Sequence, residues 1–303
     1  MFYKLGLSNV LNQVKTARLS WFLTGTLLFL GSNILASLQW HMLLKLRGVG
    51  LPFRRVISYY FVGMFFNNFL MGQVGGDAFR IYDISRSSGQ SEAAVSSVFF
   101  DRFIGFAILT SMALCAALYW SQFMDSNGIV IIIGLIFLGW LILFLILFNP
   151  RLVKSIAWIF DKFLSGKWRL KIKEIYLGIH NFKHHKQQLT IIILISCITQ
   201  FLRILVHFAA ARSIGVNIDL VYFIIFIPVI ALISSLPISI GGIGIRESSA
   251  VALFAPVWEM HADIVAFEFL SFLISVITAL PGGILFMIRK EHKPNIPKEN
   301  FDV

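Results

Sequence analysis

Apolar residues run in long, nearly unbroken stretches along this chain, with polar residues gathered between the stretches more than woven through them. That is neither the alternation of a half-buried strand nor the one-sided stripe of a soluble helix. Crossing ~30 Å of hydrocarbon as a helix takes about twenty apolar residues. On that length the pattern predicts spans near residues 20–44, 56–74, 93–120, 129–148, 189–212, 219–240 and 262–288, with Ser248–Trp258 as a half-helix between the last two. The fold class that follows is an all-α polytopic membrane protein of about 7–8 transmembrane helices, since a helix bonds its own backbone groups where no water can. Lys4, Lys15 and Arg18 precede the first run, which is too long for a signal peptide and has no small-residue cleavage site, so it is read as a retained span.

Composition agrees. Of 303 residues 57% are hydrophobic and 14% charged, and the mean hydropathy is +0.81; a soluble domain carries roughly 25% charge. A soluble globule is excluded, and a second, soluble catalytic domain has no room. We expect one transmembrane domain over residues 1–290, with a first half at 20–120, a second at 189–288 and a basic cytoplasmic segment at 150–187, followed by a disordered cytoplasmic tail at 291–303. Cys115 and Cys197 sit inside apolar runs and can build neither a disulfide framework nor a metal site. The net charge of +11 comes from Lys and Arg flanking the apolar runs, which suits anionic lipid and not nucleic acid.

Orientation follows the same charges. Arg151–Lys186 holds nine basic residues, the tail holds Arg289, Lys290, Lys293 and Lys298, and Ser121–Gly128 holds none. The first two are expected in the cytoplasm and the third outside, in a multi-pass cytoplasmic (inner) membrane protein. Lys4, Lys15 and Arg18 compete with Lys45, Arg47, Arg54 and Arg55 across the first span; an even number of crossings, with both ends inside, is the preferred reading. The segment 150–186 reads equally as an amphipathic helix on the inner leaflet or as a solvated loop.

Two glycine-rich breaks interrupt this pattern. Leu70-Met71-Gly72-Gln73-Val74-Gly75-Gly76-Asp77-Ala78-Phe79-Arg80 follows Asn67 and Asn68, and Leu236-Pro237-Ile238-Ser239-Ile240-Gly241-Gly242-Ile243-Gly244-Ile245-Arg246 follows Ser234 and Ser235. At one constant offset Leu70, Gly75, Gly76 and Arg80 fall on Leu236, Gly241, Gly242 and Arg246, which suggests an internal repeat, inverted as in many transporters. Broken or re-entrant segments must be buried in protein or line a wet cavity. Small residues at a tight helix crossing offer a plainer account, but that account needs no arginine, and each break is trailed by one and by an acid, Asp77 or Glu247.

Further ionisable residues stand at apparent membrane depth: Asp101 and Arg102 in the third span, Arg203 between Gln200 and His207 on one helical face, and Glu268 above Ser271, Ser275 and Thr278 in the last span. Each charge left unpaired there costs about 2.5–3.5 kcal/mol, so these groups should face inward. Arg80, Arg102, Arg203 and Arg246 balance Asp77, Asp101, Glu247 and Glu268. Structural ion pairing and sharing of the arginines with a phosphate both fit that balance. No metal-binding His-Glu-x-x-His, P-loop or nucleophile elbow is present, so no cofactor, metal or catalytic constellation is assigned.

The residues Asn67-Asn68, Gly75-Gly76-Asp77-Ala78-Phe79-Arg80-Ile81-Tyr82, Asp101-Arg102-Phe103-Ile104-Gly105 and Leu236 through Glu247 resemble the transmembrane region of the lysylphosphatidylglycerol synthase, or flippase-like, family, over roughly residues 10–290. Many members have a proline near the first break, where Met71 and Gly72 stand here. The resemblance implies a protein like the lipid-translocating half of bacterial aminoacyl-phospholipid synthases, in a stand-alone form without the soluble aminoacyltransferase domain, and relatives serve hopanoid or polyprenyl-linked sugar pathways. It places Gly75, Gly76, Asp77, Arg80, Asp101, Arg102, Gly241, Gly242, Arg246 and Glu247 in motif positions. The expectation is therefore a lipid transporter, no enzyme, whose partners are membrane lipids with anionic headgroups and lipid-biosynthesis enzymes, with Asn67, Asn68, Arg203 and Glu268 added to the site. A small-solute secondary transporter, a membrane enzyme and a noncatalytic assembly partner remain alternatives.

Overall fold

The computed structural model describes residues 13–70, 75–120, 127–149, 166–235, 239 and 241–289. Pro237, the tail 291–303 and residues 150–165 of the basic segment lie outside the described residues. Within them ten α-helices are bounded: α1 Leu19–Leu46, α2 Phe53–Phe69, α3 Gly75–Ser88, α4 Ser91–Trp120, α5 Asn127–Phe148, α6 Gly166–His180, α7 Lys186–Ser213, α8 Leu220–Ser235, α9 Ile245–Phe254 and α10 His261–Ile288, with a 3-10 turn at Asn181–His184. The all-α polytopic class holds.

Five of these helices, α1, α4, α5, α7 and α10, are long and apolar enough to cross a membrane. The expected spans 56–74 and 219–240 are different objects. Helix α2 has 17 residues and α8 has 16, and each stops at its break and turns back. In the first, the Gly76 N–H donates to Asn67 Oδ1 at 2.8 Å, Phe66 stacks on Phe79 at 3.7 Å and the Gly63 backbone faces Arg80, so α3 runs antiparallel to α2. In the second, Gly242 lies against Ser234 and Phe254 against Phe223 and Phe226, so α9 runs back along α8. Each break is thus the tip of a helical hairpin.

Contacts fix the helix directions. Arg18 N–H donates to Ser213 O at 2.8 Å, making α1 and α7 antiparallel, while Gln13 reaches Asp263 and Gly25 reaches Ile274, making α1 and α10 parallel. Gln39 on Asp101 and Arg47 on Ser96 set α4 antiparallel to α1, and Phe103 on Trp140 with Phe100 on Phe148 sets α5 antiparallel to α4. The first hairpin has its base beside the end of α10, where Arg289 donates twice to buried Asp83 at 2.7 Å. The second opens from the opposite end, where Phe223 and Phe254 pack with Ala113 and Ala117.

The order span, hairpin, span therefore occurs twice in opposite orientations. The offset that puts Leu70 on Leu236 carries α1, α2, α3 and α4 onto α7, α8, α9 and α10 with every boundary within four residues. The inverted repeat is a property of the whole fold, with α5 and α6 as the connection. Among the described residues the crossings are five and not an even number: because α2 and α8 return to the side they entered from, Gln13 and Arg289 stand on opposite ends of the bundle, and α6 shares the end of Arg289.

Close backbone approach holds the first hairpin to the last span. A Cβ on Gly282 would lie 2.0 Å from Phe61 O, and one on Gly76 would lie 1.8 Å from Gly63 O. Small residues are what permit such contact in hydrocarbon, where packing and not water expulsion drives helix association. Gly282→Ala is expected to lower the thermal unfolding midpoint in detergent by the equivalent of roughly 1–3 kcal/mol; Gly139→Ala, which meets open space, should leave it in place. In oriented vesicles, Thr16→Cys and Gln90→Cys should label from opposite sides with an impermeant thiol reagent, and labelling from one side would break the five-crossing arrangement.

Candidate functional site

The hairpin tips meet inside the bundle. The Gly241 N–H donates to Leu70 O at 3.2 Å, and Ser275 of α10 donates to Asn68 Oδ1 at 2.9 Å. Gly241, Gly242 and Gly244 all have positive φ, and a Cβ on Gly241 would stand 2.6 Å from Asn68 O. Only glycine supplies that left-handed backbone at no steric cost while letting another backbone so near. The tip ends as α9 begins: Glu247 accepts from the Gly244 N–H at 2.6 Å, bonding a donor that the helix start leaves open.

Beside the tips lies a cavity of about 230 Å³, walled by both halves: Asn33 and Gln39 of α1, Tyr60, Asn67 and Asn68 of α2, Arg80 of α3, Asp101 and Arg102 of α4, Thr199, Gln200, Arg203 and His207 of α7, Ser234 of α8, Gly241, Arg246 of α9, and Ser271 and Ser275 of α10. Phe29, Phe106, Leu109, Ile204, Ile227 and Ile230 complete the lining, so the wall is amphiphilic. Asp77, Glu247 and Glu268 stand behind it, bonded to the arginines. The structure thus brings all eight expected charged residues to one place.

Their pairing is unequal. On the first-half side Arg80, 4% exposed in its side chain, bonds Asp77 at 3.1 Å and Asp101 at 2.8 Å and lies over the rings of Trp40 at 4.1 Å and Tyr60 at 4.8 Å. Arg102 reaches the same Asp77 at 2.7 Å, and Gln39 donates to the other oxygen of Asp101 at 2.8 Å. Two cations, two anions, an amide and two aromatic faces close on themselves. On the second-half side Arg246 bonds Glu247 at 2.8 Å, approaches Glu268 at 3.5 Å and lies over Phe272 at 5.0 Å, while His207 Nδ1 meets Glu268 at 2.9 Å.

Arg203 is the exception. Its terminal nitrogen donates to the Tyr60 hydroxyl at 3.2 Å, and among the described residues it has no carboxylate partner. Its Nε is buried without an acceptor, as are the Nε atoms of Arg80 and Arg246, and Asn33, Gln39, Thr199, Ser234 and Glu268 around the same cavity also hold buried polar atoms without a hydrogen-bond partner. Buried polar atoms are almost always bonded; several left open along one cavity mark a place made for water or a ligand. The arginines thus differ in partner: Arg80 and Arg246 are held by carboxylates, and Arg203 by a hydroxyl.

Trp40, Tyr60, Asn33 and Gln39 were not anticipated. The amides had a usable signal, since Ser32, Asn33, Ser37 and Gln39 are polar residues inside an apolar run and all are buried. The aromatics had none, being indistinguishable in sequence from core residues.

Because Arg80 is enclosed, Asp101→Ala should cost roughly 3–5 kcal/mol by stranding a buried cation, whereas Arg203→Gln loses one hydroxyl contact and should cost about 1 kcal/mol. Thermal unfolding in detergent separates the two, and equal losses would contradict this division of the arginines.

The comparisons with known proteins agree with this architecture. The family model described as the lysylphosphatidylglycerol synthase TM region matches residues 1–285. The chain is also 28% identical, over 308 aligned positions covering 93% of it and 91% of the relative, to the UPF0104 membrane protein PH1989 of Pyrococcus horikoshii. With nearly its whole length inside that match, the chain belongs to the lysylphosphatidylglycerol synthase transmembrane-region family of membrane proteins.

Proposed function

We propose that the cavity receives the anionic, phosphate-bearing headgroup of a phospholipid or polyprenyl-linked lipid, that the tails stay in the bilayer, and that the protein moves this lipid between leaflets. The observation that carries the reading is Arg203, a guanidinium inside the bundle whose described partner is a tyrosine hydroxyl. A planar fork of donors matches a phosphate bidentately. The volume supports the same reading, since about 230 Å³ suits a headgroup and is below the ~300–1,000 Å³ of pockets that hold larger ligands whole. So does the name of the family, which is taken from an enzyme of phospholipid modification.

Two hairpins that enter from opposite ends and touch at Gly241 and Leu70 supply a route. Withdrawing either tip opens the cavity toward one leaflet while the other still closes it, in the manner of inverted-repeat transporters. Lys45, Arg47, Arg54, Arg55, Lys171, Lys173, Lys183 and Arg289 gather at one end of the bundle, which on the charge rule is the cytoplasmic one, in the inner membrane. Residues 13–18 then face outward. No residue is given a catalytic role, and labelled lipid should be recovered chemically unchanged.

The same volume also suits a small anionic solute, the second reading. Vesicles of phosphatidylcholine bearing the protein and fluorescent phosphatidylglycerol in one leaflet, with entrapped inorganic phosphate, test both. Headgroup movement that falls about tenfold or more in Arg203→Gln, the equivalent of losing a charged hydrogen bond of about 1.5–3 kcal/mol, is the expected result. Phosphate efflux with immobile lipid would establish the small-solute reading instead.

A further inference from the structure

Behind Arg203 on the same helix lies a pair that the headgroup site does not use. Glu268 is fully buried on α10, and its Oε1 lies 2.9 Å from Nδ1 of His207 on α7. An ionised Glu268 accepts from Nδ1–H, and in the neutral form of that ring Nε2 then holds the lone pair. His207 lines the cavity, its side chain is 19% exposed, and Nε2 has no hydrogen-bond partner among the described residues.

The charges around the cavity explain why such a group matters. Arg80, Arg102, Arg203 and Arg246 are balanced by Asp77, Asp101, Glu247 and Glu268, and a neutral imidazole leaves the sum at zero. A single anion entering this cavity makes it negative in surroundings of hydrocarbon, where uncompensated charge is strongly disfavoured. One proton on an imidazole, the side chain that changes charge nearest neutral pH, restores the balance.

Resting on the headgroup reading above, we propose that the His207–Glu268 pair is a proton site, and that one proton binds His207 Nε2 with each anionic headgroup so that lipid and proton cross together. The step is simple: a cavity water delivers a proton to the Nε2 lone pair, the Nδ1–H remains on Glu268, no bond of the lipid breaks, and the Nε2–H bond is lost again to water when the headgroup leaves on the other side. Glu268 on α10 meets the ring, Arg203 on its own helix and Arg246 on α9 line the same cavity, and Glu247 stands behind Arg246. Across the cavity stand Tyr60 on α2, Asp77 and Arg80 on α3, and Asp101 and Arg102 on α4. Helices α1 and α8 turn only uncharged side chains toward the cavity, Asn33, Gln39 and Ser234 among them. Each of the four acids already lies against an arginine, and the imidazole is a further basic side chain on the cavity wall.

Two substitutions have opposite consequences. Glu268→Gln removes a negative charge and leaves the cavity permanently one unit more positive, which mimics the protonated state. His207→Gln removes the acceptor and fixes the cavity at neutral.

The experiment measures binding of fluorescent phosphatidylglycerol to the full chain in phosphatidylcholine nanodiscs from about pH 8 to about pH 6. With one proton taken up per lipid, affinity of the parent should rise about tenfold per pH unit over the part of this range where the imidazole is neutral. Glu268→Gln should bind tightly with no slope, and His207→Gln weakly with no slope. If both variants weaken binding by a common factor and keep the parent's slope, the pair is structural and the proposal is wrong. Parent binding that is flat in pH yet lost in Arg203→Gln overturns the proton coupling and leaves the headgroup site standing. No binding by the parent at any pH, or binding indifferent to Arg203→Gln, overturns the headgroup site and the coupling with it.

Discussion

A backbone amide freed by a helix break has no water to turn to inside a bilayer, and in this protein the answer is another break. The Gly241 N–H bonds the Leu70 carbonyl, so each hairpin tip completes the other. Much else depends on that bond. The tips must lie at the same depth, so the hairpins must enter from opposite ends. The helices around them must then run in opposite directions, as α1 and α7 do. A cavity forms where the four hairpin arms and the spans beside them cannot fill the space around the tips, and its walls carry the polar groups that could not face lipid.

The second constraint is charge. Eight ionised side chains lie around the tips, a costly arrangement in hydrocarbon unless each finds an opposite partner. The first half meets it with a closed set, in which Arg80 and Arg102 share Asp77 and Asp101 and aromatic rings cover the arginine face. The second half leaves its set open. Arg246 reaches Glu268 only at 3.5 Å, the near oxygen of Glu268 is given to a histidine, and Arg203 rests on a hydroxyl. One side of the cavity serves as a rigid wall, while the other has donors and a proton acceptor to offer.

That difference arises within a repeat. At the offset relating the halves, Arg80 corresponds to Arg246, His41 to His207 and Arg102 to Glu268. The arginine after each break is common to both and bonded to an acid in both. The histidines have parted: His41 meets the Leu51 carbonyl at 3.0 Å, whereas His207 meets a carboxylate because Glu268 replaces the arginine of the first half. A repeat of one architecture thus carries two unlike chemistries: at the same offset Asp77 and Asp101 fall on Ile243 and Phe267, while Arg203 and Glu247 fall on Ser37 and Ile81.

The amino-acid sequence by itself determined that this chain lives in hydrocarbon, where its five long apolar helices lie to within a few residues, that two glycine breaks correspond, and that eight ionisable residues must face inward. All of these follow from local composition and from the cost of exposing polar groups to lipid, which each segment meets on its own. Tertiary structure alone decided that α2 and α8 are hairpin arms and not crossings, because an apolar run looks the same whether it continues through the bilayer or turns back at a glycine. It decided which arginines are spent on acids and which is left over, since Arg80, Arg203 and Arg246 are alike in sequence and differ only in the side chains other helices bring to them. Pairing is a relation between distant segments, and that is the physical reason no single stretch of this chain could reveal it.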